Sequence, residues 1–240
     1  MKFLTGLTRL LVPAPCLLCR ASTVSASGLC PRCDRVWGDK DPMLRCPVCA
    51  IRVSVPDIPC AECLQQPRPF DRVIAGVDYD DSARALIHRL KFQHDTAVMS
   101  ALLRPLITAI ACRRPSGDVA VLPDALVPMP IHPQRRRDRG FNQARLMADS
   151  LGRRFALPVC GHVVKRVKMG DPQSSLDAAA RRKSLRGAFV VTGRLPERVA
   201  IVDDVMTTGS TVESLSLALR KAGVREVSVW VAARTPRPDG

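Results

Sequence analysis

From residue 71 onward, short continuous apolar runs alternate with longer segments of helical spacing. The runs end at Pro, Asp or Arg. Continuous apolar runs of this length are typical of strands that are buried on both faces of a sheet. They lie within residues 71–80, 124–131, 198–204 and 227–234.

The segments between the runs place apolar residues every three or four positions, which is the period of an amphipathic helix. These segments are residues 83–112, 142–157 and 210–224, and Gly223 ends the last of them. Because strands alternate with helices, the sequence predicts an α/β domain built on a parallel sheet.

Residues 16–63 follow neither pattern and contain four C-x-x-C pairs instead. The last two pairs repeat the first two at a spacing of 30 residues, which indicates a duplicated unit. Each C-x-x-C turn presents two thiolates to one ion, and two turns complete a tetrahedral four-cysteine site. Four turns therefore predict two structural Zn²⁺ ions.

The pairing of the four turns is open between a sequential and a crossed arrangement. Sequential pairing closes loops of only ten residues, which loses less chain entropy than crossing. The favoured ligand sets are Cys16, Cys19, Cys30 and Cys33 for one ion, and Cys46, Cys49, Cys60 and Cys63 for the other. A redox C-x-x-C would stand alone beside a βαβ unit. Cys112 and Cys160 lie among apolar residues and are predicted to be core cysteines.

Residues 64–71 contain two prolines and no periodicity, as expected of a linker. We therefore divide the chain into residues 1–68, a double zinc ribbon, and residues 69–240, the α/β domain. Arg9 interrupts the apolar start, which argues against an export signal, and no segment is long enough to cross a membrane. We expect a cytoplasmic protein with reduced thiols.

The net charge of +15 favours anionic partners such as nucleic acid, phosphorylated metabolites or an acidic membrane surface. Much of the basic excess lies in residues 135–145 and 165–186. A solvated basic face and an anion-binding site are both consistent with these runs.

Residues 199–211, VAIVDDVMTTGST, join a buried strand, two carboxylates and a hydroxyl-rich turn before a helix. Ligands of open α/β sheets bind beyond the carboxyl ends of the strands. The turn suits a phosphate, because helix N–H groups and hydroxyls can donate to it and Gly209 permits close approach. Asp203 and Asp204 would repel that phosphate, so sugar hydroxyls or a hydrated Mg²⁺ are their expected partners. The lysine of a Walker P-loop is missing.

At every position this stretch resembles the phosphoribosyl pyrophosphate motif of the type I phosphoribosyltransferases. Three further segments and the C-x-x-C turns resemble one branch of that superfamily, the ComF/GntX family of bacterial proteins. The segments are LIHRLKFQHD (86–95), PMPIHPQRRRDRGFNQA (128–144) and PQSSLDAAARRKSLRGAF (172–189). The resemblance covers nearly all of residues 12–235, and RGFNQ (139–143) is its most specific element. Ser184 departs from it, standing where the family pattern has an asparagine.

The resemblance implies a Rossmann-like type I phosphoribosyltransferase domain behind the double zinc ribbon. It implies that Asp203 and Asp204 are the catalytic pair and bind the ribose hydroxyls. Thr207, Thr208, Gly209, Ser210 and Thr211 would hold the 5′-phosphate.

Transfer from phosphoribosyl pyrophosphate breaks the bond between ribose C1 and a diphosphate, so cations must stabilise the leaving group. We expect Mg²⁺, held mainly by substrate oxygens and water, together with Arg137, Arg139 and Lys168. The further candidates are Arg135, Arg136, Lys165 and Arg166, of which the last two fall in a segment expected to be a mobile loop.

Three functions are compatible with these features. The first is a Mg²⁺-dependent phosphoribosyltransferase whose acceptor the sequence does not name, linked to DNA uptake or nucleotide metabolism. The second is a single-stranded-DNA-binding protein whose domain only senses a phosphoribosyl ligand, because ComF relatives are associated with natural transformation. The third is a scaffold whose zinc ribbons dock a DNA-uptake partner.

Overall fold

The computed structural model describes residues 13–38, 41, 43–112, 122–168 and 187–237. Most of the segment 172–189, including Ser184, lies outside the described residues.

Two small cysteine units come first in the described chain. The first cysteine unit (residues 14–37) contains an antiparallel pair of short strands, β1 (Ala14–Pro15) and β2 (Ser22–Thr23), and a helix, α1 (Pro31–Val36). The second cysteine unit (residues 44–66) repeats this plan, with an antiparallel bridge between Arg45 and Arg52 and a helix, α2 (Ala61–Gln65).

Four parallel strands form the central sheet. They are β3 (Arg72–Asp78), β4 (Ala125–Pro128), β7 (Arg198–Met206) and β8 (Glu226–Arg234), and their order across the sheet is β3-β8-β7-β4. β7 and β8 are almost continuously apolar because they lie in the middle of the sheet with both faces covered. The predicted parallel α/β sheet is confirmed.

Helices and a two-stranded hairpin surround the sheet. The helices are α3 (Asp81–Phe92), α4 (Met99–Cys112), α5 (Pro133–Arg139), α6 (Gln143–Phe155) and α7 (Ser210–Lys221), and the hairpin consists of β5 (Val164–Arg166) and β6 (Phe189–Val191). α3, α4 and α6 pack on the face that buries Val202 and Trp230. α7 and the hairpin cover the opposite face, which buries Ile201 and Val229.

The elements differ from the predictions at three places. A short 3-10 turn at Thr96–Val98 separates α3 from α4 within the predicted helical segment. The basic run after β4 forms α5, which the apolar pattern does not predict because no residue of α5 is buried. Lys165 and Arg166 do not lie in a loop: they are on β5, which pairs with β6.

The cysteines outside the two units are less buried than predicted. Cys112 is exposed at the last residue of α4. Cys160 is partly buried, and burial raises the pKa of its thiol. Among the described residues, no helix is both long and apolar enough to cross a membrane.

Candidate functional site

The eight N-terminal cysteines lie in two compact groups. Within each group all four Sγ atoms are within 4.8 Å of one another. The groups are Cys16, Cys19, Cys30 and Cys33, and Cys46, Cys49, Cys60 and Cys63. The structure therefore adopts the sequential grouping and excludes the crossed one.

The sulfur separations fit a tetrahedral metal ion. Zn–S bonds of about 2.3 Å place the ligand atoms of a tetrahedron ~3.8 Å apart. Cys19 Sγ and Cys30 Sγ are 3.5 Å apart, and Cys49 Sγ and Cys60 Sγ are 3.7 Å apart. Because four thiolates are a preferred ligand set of structural zinc, each group could hold one Zn²⁺ ion.

The two units also repeat one another in backbone detail. The amide of Cys30 donates to Cys16 Sγ at 3.3 Å, and the amide of Cys60 donates to Cys46 Sγ at 3.3 Å. The residue after the first C-x-x-C of each unit has a left-handed backbone, with φ of 66° at Arg20 and 55° at Ala50. These correspondences support the duplication inferred from the 30-residue repeat.

The thiols of each unit differ in pKa. Burial raises the pKa of Cys16, but nearby backbone N–H groups outweigh burial and bring it to about 6. Burial raises the pKa of Cys33 to about 12. A hydrogen bond from Cys49 lowers the pKa of Cys46 to about 4, and the same bond and burial raise the pKa of Cys49. Cys16 and Cys46 hold equivalent places in the repeat, so each unit offers one ready thiolate, and a bound divalent ion would deprotonate the other thiols.

Asp203 and Asp204 lie near the carboxyl end of the central strand β7. Asp204 is buried, with 3% of its surface exposed, whereas Asp203 is half-buried. Asp203 Oδ1 accepts a hydrogen bond of 2.9 Å from the backbone N–H of Asp204. The strand continues two residues further, to Met206, so both carboxylates belong to the strand itself.

A polar network surrounds the buried carboxylate of Asp204. Its Oδ2 pairs with Lys91 Nζ, and its Oδ1 accepts from Gln143 Nε2 at 3.1 Å. Gln143 Oε1 in turn accepts from Arg139 Nη1 at 2.8 Å. The segments 86–95 and 128–144, which resemble the ComF/GntX family, therefore meet residues 199–211 at one carboxylate.

The segment RGFNQ (139–143) forms the corner between α5 and α6. Asn142 caps α6 with its Oδ1 and donates its Nδ2–H to the carbonyl of Met129 at 3.0 Å. The ring of Phe141 packs edge-on against His94, with 5.3 Å between the centroids. The corner is thus held against both β4 and the end of α3, and Gln143 is oriented toward Asp204.

The carboxyl groups of the pair have opposite pKa shifts. Burial raises the pKa of Asp203, and the charge of Asp204 raises it further. Burial also acts to raise the pKa of Asp204, but the Lys91 ammonium outweighs burial and lowers it. The pair therefore holds one stable negative charge, on Asp204, beside a carboxyl whose ionisation is opposed. Such divergent pairs are typical of binding and catalytic sites.

Residues 207–211 form the turn that connects β7 to α7. Gly209 precedes the helix with φ of 87°, and a Cβ atom there would lie 2.7 Å from the Met206 side chain. Thr208 Oγ1 and Ser210 Oγ are 2.9 Å apart and hydrogen-bonded. Since α7 begins at Ser210, the N–H groups of its first turn lie at the same end of the sheet as the carboxylate pair.

The structure brings two of the candidate cations close to the carboxyl groups of Asp203 and Asp204. Arg139 reaches Asp204 through Gln143. Arg166 on β5 lies in the electrostatic field of Asp203: burial and the charge of Arg135 lower the pKa of Arg166, and the charge of Asp203 opposes both.

Two further predicted cations, Arg137 and Lys168, lie at the surface. Arg137 is exposed on α5, and Lys168 is exposed just after β5. The backbone carbonyl of Lys168 accepts a hydrogen bond of 3.1 Å from Arg166 Nε. Roles for Arg137 and Lys168 in holding a diphosphate stay predictions, as do the ligand roles of residues 203–211.

Three residues of the site have no role in the sequence-based prediction. Lys91 and Gln143 contact Asp204 directly. Arg234, the last residue of β8, donates to the carbonyl of Met206 at 3.0 Å. Lys91 and Gln143 stand inside the segments that resemble the family, so a signal was present, but nothing local in the chain connects them to Asp204.

Fold and site together define a class of protein: a parallel α/β sheet with a carboxylate pair and a hydroxyl-rich turn, preceded by two four-cysteine groups suited to zinc. No protein-family model matches the chain.

Curated relatives give the more specific assignment. The chain is 34% identical over 230 residues to the DNA utilization protein YhgH of Salmonella typhimurium, which covers 94% of this chain and 99% of the relative. It is 35% identical over 224 residues to Competence protein F of Haemophilus influenzae, covering 91% and 96%. It is 25% identical over 189 residues to Competence protein ComFC of Bacillus subtilis, covering 74% and 72%. The chain belongs to the ComF/GntX family.

Proposed function

We propose that residues 203–211 bind the phosphoribosyl group of phosphoribosyl pyrophosphate or a related phosphosugar, within a phosphoribosyltransferase-type domain at residues 69–240. One observation carries the proposal: the carboxylate pair and the hydroxyl-rich turn lie together at the carboxyl end of a central parallel strand. Ligands of open α/β sheets bind at this position. The resemblance of residues 199–211 to the type I phosphoribosyltransferases supports it.

In this proposal the turn holds the 5′-phosphate and the carboxylates hold the ribose hydroxyls. N–H groups of the first turn of α7 and the hydroxyls of Thr208 and Ser210 donate to phosphate oxygens. Asp203 accepts hydrogen bonds from the ribose. Asp204 already accepts from Lys91 and Gln143, so a ribose hydroxyl would use one of its remaining lone pairs.

Transfer would break the ribose C1–O bond, release diphosphate and form a bond from C1 to the acceptor, which loses a proton. The ribose ring would carry positive charge in the transition state. The negative charge of the carboxyl pair would stabilise that charge, and Arg139 and Arg166 would stabilise the diphosphate. Mg²⁺ would neutralise the leaving group when bound. Since both oxygens of Asp204 are engaged, we expect substrate oxygens and water to supply most of its ligands.

Thermal unfolding tests this proposal directly. A ligand of the native state at 100-fold excess over its Kd stabilises the protein by about 2.7 kcal/mol. We therefore expect Mg²⁺ with phosphoribosyl pyrophosphate to raise the Tm of the wild-type protein by several degrees. We expect no rise in the Asp203→Asn/Asp204→Asn double variant.

Asp124→Asn is the matched control, because Asp124 pairs with Arg198 at the opposite, amino end of β7. Its ligand-induced shift should equal that of the wild type. An absent shift in the wild type, or an equal shift in the double variant, would refute the proposed site. A screen of nucleobases and amines for diphosphate release then decides whether transfer occurs.

A second candidate function is binding of single-stranded DNA, with the phosphoribosyl site as a sensor. A cavity of about 760 Å³ lies beside the site. Its charged lining residues in the described chain are all basic, and rings are present for base stacking. The basic residues are Arg136, Arg145, Lys165 and Arg166, and the rings are Phe141, His132 and His162. The relatives named as DNA utilization and competence proteins support this candidate.

Anisotropy of a labelled single-stranded oligonucleotide tests the second candidate. We expect binding that weakens steeply with salt, and about tenfold weaker binding in Arg136→Ser/Lys165→Ser at low salt. Arg72→Ser is the control: it removes a positive charge at the amino end of β3 and should leave the affinity for the oligonucleotide nearly unchanged. If the wild-type protein does not bind at low salt, this candidate is rejected.

A further inference from the structure

We infer that Arg234 is a positioning residue for the proposed phosphoribosyl site. It couples the second cysteine unit to residues 207–211, which we call the phosphate turn. The second four-cysteine group would then do more than stabilise a separate module: it would hold part of the ligand site in shape. This inference rests on the proposed function, but its structural half can be tested without any ligand.

The guanidinium of Arg234 lies between the cysteine unit and the turn. The residue is buried, with 7% of its surface exposed. Its Nε donates to the carbonyl of Cys49, a member of the second four-cysteine group, at 2.9 Å. Its Nη1 donates to the carbonyls of Met206 and Thr235, each at 3.0 Å, and also to the carbonyl of Thr207. One planar cation therefore joins the cysteine unit to the start of the turn.

The orientation of these carbonyls decides where the turn presents its N–H groups. In a trans peptide the C=O and the following N–H point in opposite directions. When Arg234 draws the carbonyls of Met206 and Thr207 toward itself, the amides of Thr207 and Thr208 are directed away from it. Those amides then face the side on which a phosphate would bind. Arg234 thus orients donors without contacting the ligand.

A second contact reaches the same turn from its other end. Arg68 pairs with Glu62 on α2 and with Glu213 in the first turn of α7. Glu213 is buried, with 9% of its surface exposed, so this link is shielded from solvent. Arg237 also connects to the unit, donating to Cys60 Sγ at 3.2 Å. Both ends of the phosphate turn are therefore held by arginines that contact the second cysteine unit.

The first cysteine unit supplies a matched control within the same chain. Arg104 on α4 pairs with the carboxylate of Asp34 on α1 at 2.6 Å and donates to its carbonyl at 3.3 Å. It therefore joins a cysteine unit to the sheet domain as Arg234 does, but on the face away from the phosphate turn. Arg104→Lys and Arg234→Lys both keep the charge and lose the planar fork.

Three measurements on the full-length zinc-loaded protein test the inference. In Arg234→Lys we expect faster hydrogen exchange across residues 206–211, unchanged exchange in β3, and two zinc ions per chain. We expect affinity for ribose 5-phosphate, measured by calorimetry, to fall about tenfold, within the usual range of coupling between sites. Arg104→Lys should match the wild type in the turn and in affinity.

The outcomes separate the coupling from the proposed function. Unchanged exchange at residues 206–211 in Arg234→Lys, or the same acceleration in Arg104→Lys, would overturn the coupling. If the wild type binds no ribose 5-phosphate, the proposed function fails, while the exchange measurement still decides the coupling. If Arg234→Lys does not fold, Arg68→Lys tests the second contact by the same exchange measurement: faster exchange at residues 210–213 supports the inference, and unchanged exchange opposes it.

Discussion

The two cysteine units have the same local structure but attach to the sheet domain with a different balance of apolar and polar contacts. The first unit buries Leu17, Leu29 and Trp37 in the hydrophobic cluster that contains α3 and α4. The apolar residues of the second unit form mostly a cluster of their own. Ala50 and Val48 of this unit pack into the cluster beneath α7. The rest of its attachment is mainly polar, through Arg45 to Asp78, Arg68 to Glu213 and Arg234 to the carbonyl of Cys49.

The difference separates stabilisation from positioning. Apolar burial is non-directional and lowers the free energy of the folded state without fixing an orientation. Hydrogen bonds from a guanidinium to fixed carbonyls are directional, and they add little net stability per bond. We therefore expect the first unit to govern unfolding of the domain and the second unit to govern the geometry of the phosphate turn.

Removing one four-cysteine group at a time should produce the largest effects. A structural zinc ion contributes on the order of 10 kcal/mol or more to folding, so either loss will be severe locally. We expect Cys16→Ser/Cys19→Ser to lower the Tm of the whole protein strongly, because the cluster shared with α3 and α4 opens. Cys46→Ser/Cys49→Ser should lower the Tm less but abolish the proposed binding of a phosphoribosyl ligand.

Metal analysis by mass spectrometry, thermal unfolding and ligand titration on the two double variants check this contrast. Each variant should retain one zinc ion per chain. Equal Tm losses, or ligand binding that survives loss of the second group, would remove the distinction between the units.

Trp37→Ala tests the apolar attachment of the first unit. Truncation of a buried tryptophan destabilises a protein by about 3–5 kcal/mol, and Trp37 also donates its Nε1–H to the carbonyl of Ala101 at 2.8 Å. Chemical denaturation should show this loss. Trp37→Phe keeps most of the ring contact but cannot make this hydrogen bond. Beyond the small loss of packing, the missing bond should lower the free energy of unfolding by only about 1 kcal/mol. A loss below ~1 kcal/mol in Trp37→Ala would show that the unit is not part of the core.

Arg45→Met tests the polar attachment of the second unit. Arg45 is fully buried, pairs with Asp78 at 2.8 Å and donates to the carbonyl of Ala50 at 2.9 Å. Breaking this pair leaves the buried Ala50 carbonyl and the Asp78 carboxylate with one fewer partner each, which we expect to destabilise the protein by about 1–3 kcal/mol.

Arg72→Met is the control for Arg45→Met, because the exposed Arg72–Glu226 pair should contribute less than about 1 kcal/mol. Urea titrations of both variants make the measurement. A stabilised Arg45→Met variant would mean that apolar contact can replace this ion pair.

The features that sequence predicts correctly here are set by short stretches of chain. Periodicity identifies β7 and α7, and the ten-residue loops predict the grouping of the cysteines, because chain entropy favours the nearest partner. The same reasoning fails for the β5–β6 hairpin, because its strands are only three residues long and residues 167–188 separate them along the chain.

The polar contacts of the site depend on how distant segments pack. Gln143 and Asp204 are 61 residues apart, and Arg234 and Cys49 are 185 residues apart. No local pattern encodes such pairs, since a basic residue at the end of a strand is compatible with many partners. The resemblance to the ComF/GntX family marks the segments that contain Lys91 and Gln143, but it does not state which atoms they contact.

The smallest expected effect concerns the carboxylate pair that lies beside the turn held by the second unit. Burial and the charge of Asp204 raise the pKa of Asp203 above its ordinary value. When the pKa of a group is higher in the folded protein than in the unfolded chain, the group favours folding at pH below both pKa values. That contribution is lost as the pH rises through the pKa of the folded state. Near neutral pH, Asp203→Asn should therefore stabilise the ligand-free protein, and the gain should vanish in acid. Asp204→Asn should act in the opposite direction, because it removes the partner of Lys91.

Combining Asp203→Asn with Arg234→Lys tests whether the second unit opposes the repulsion between the carboxylates of Asp203 and Asp204. If Arg234 helps to hold the turn against the carboxylate repulsion, the stability loss from Arg234→Lys should be smaller in the Asp203→Asn background. A double-mutant cycle in urea at pH 7 measures that difference, and Arg104→Lys should show no such dependence because it holds only the first unit. Purely additive effects of Arg234→Lys and Asp203→Asn would mean that the second unit shapes the turn without opposing the charge of the pair.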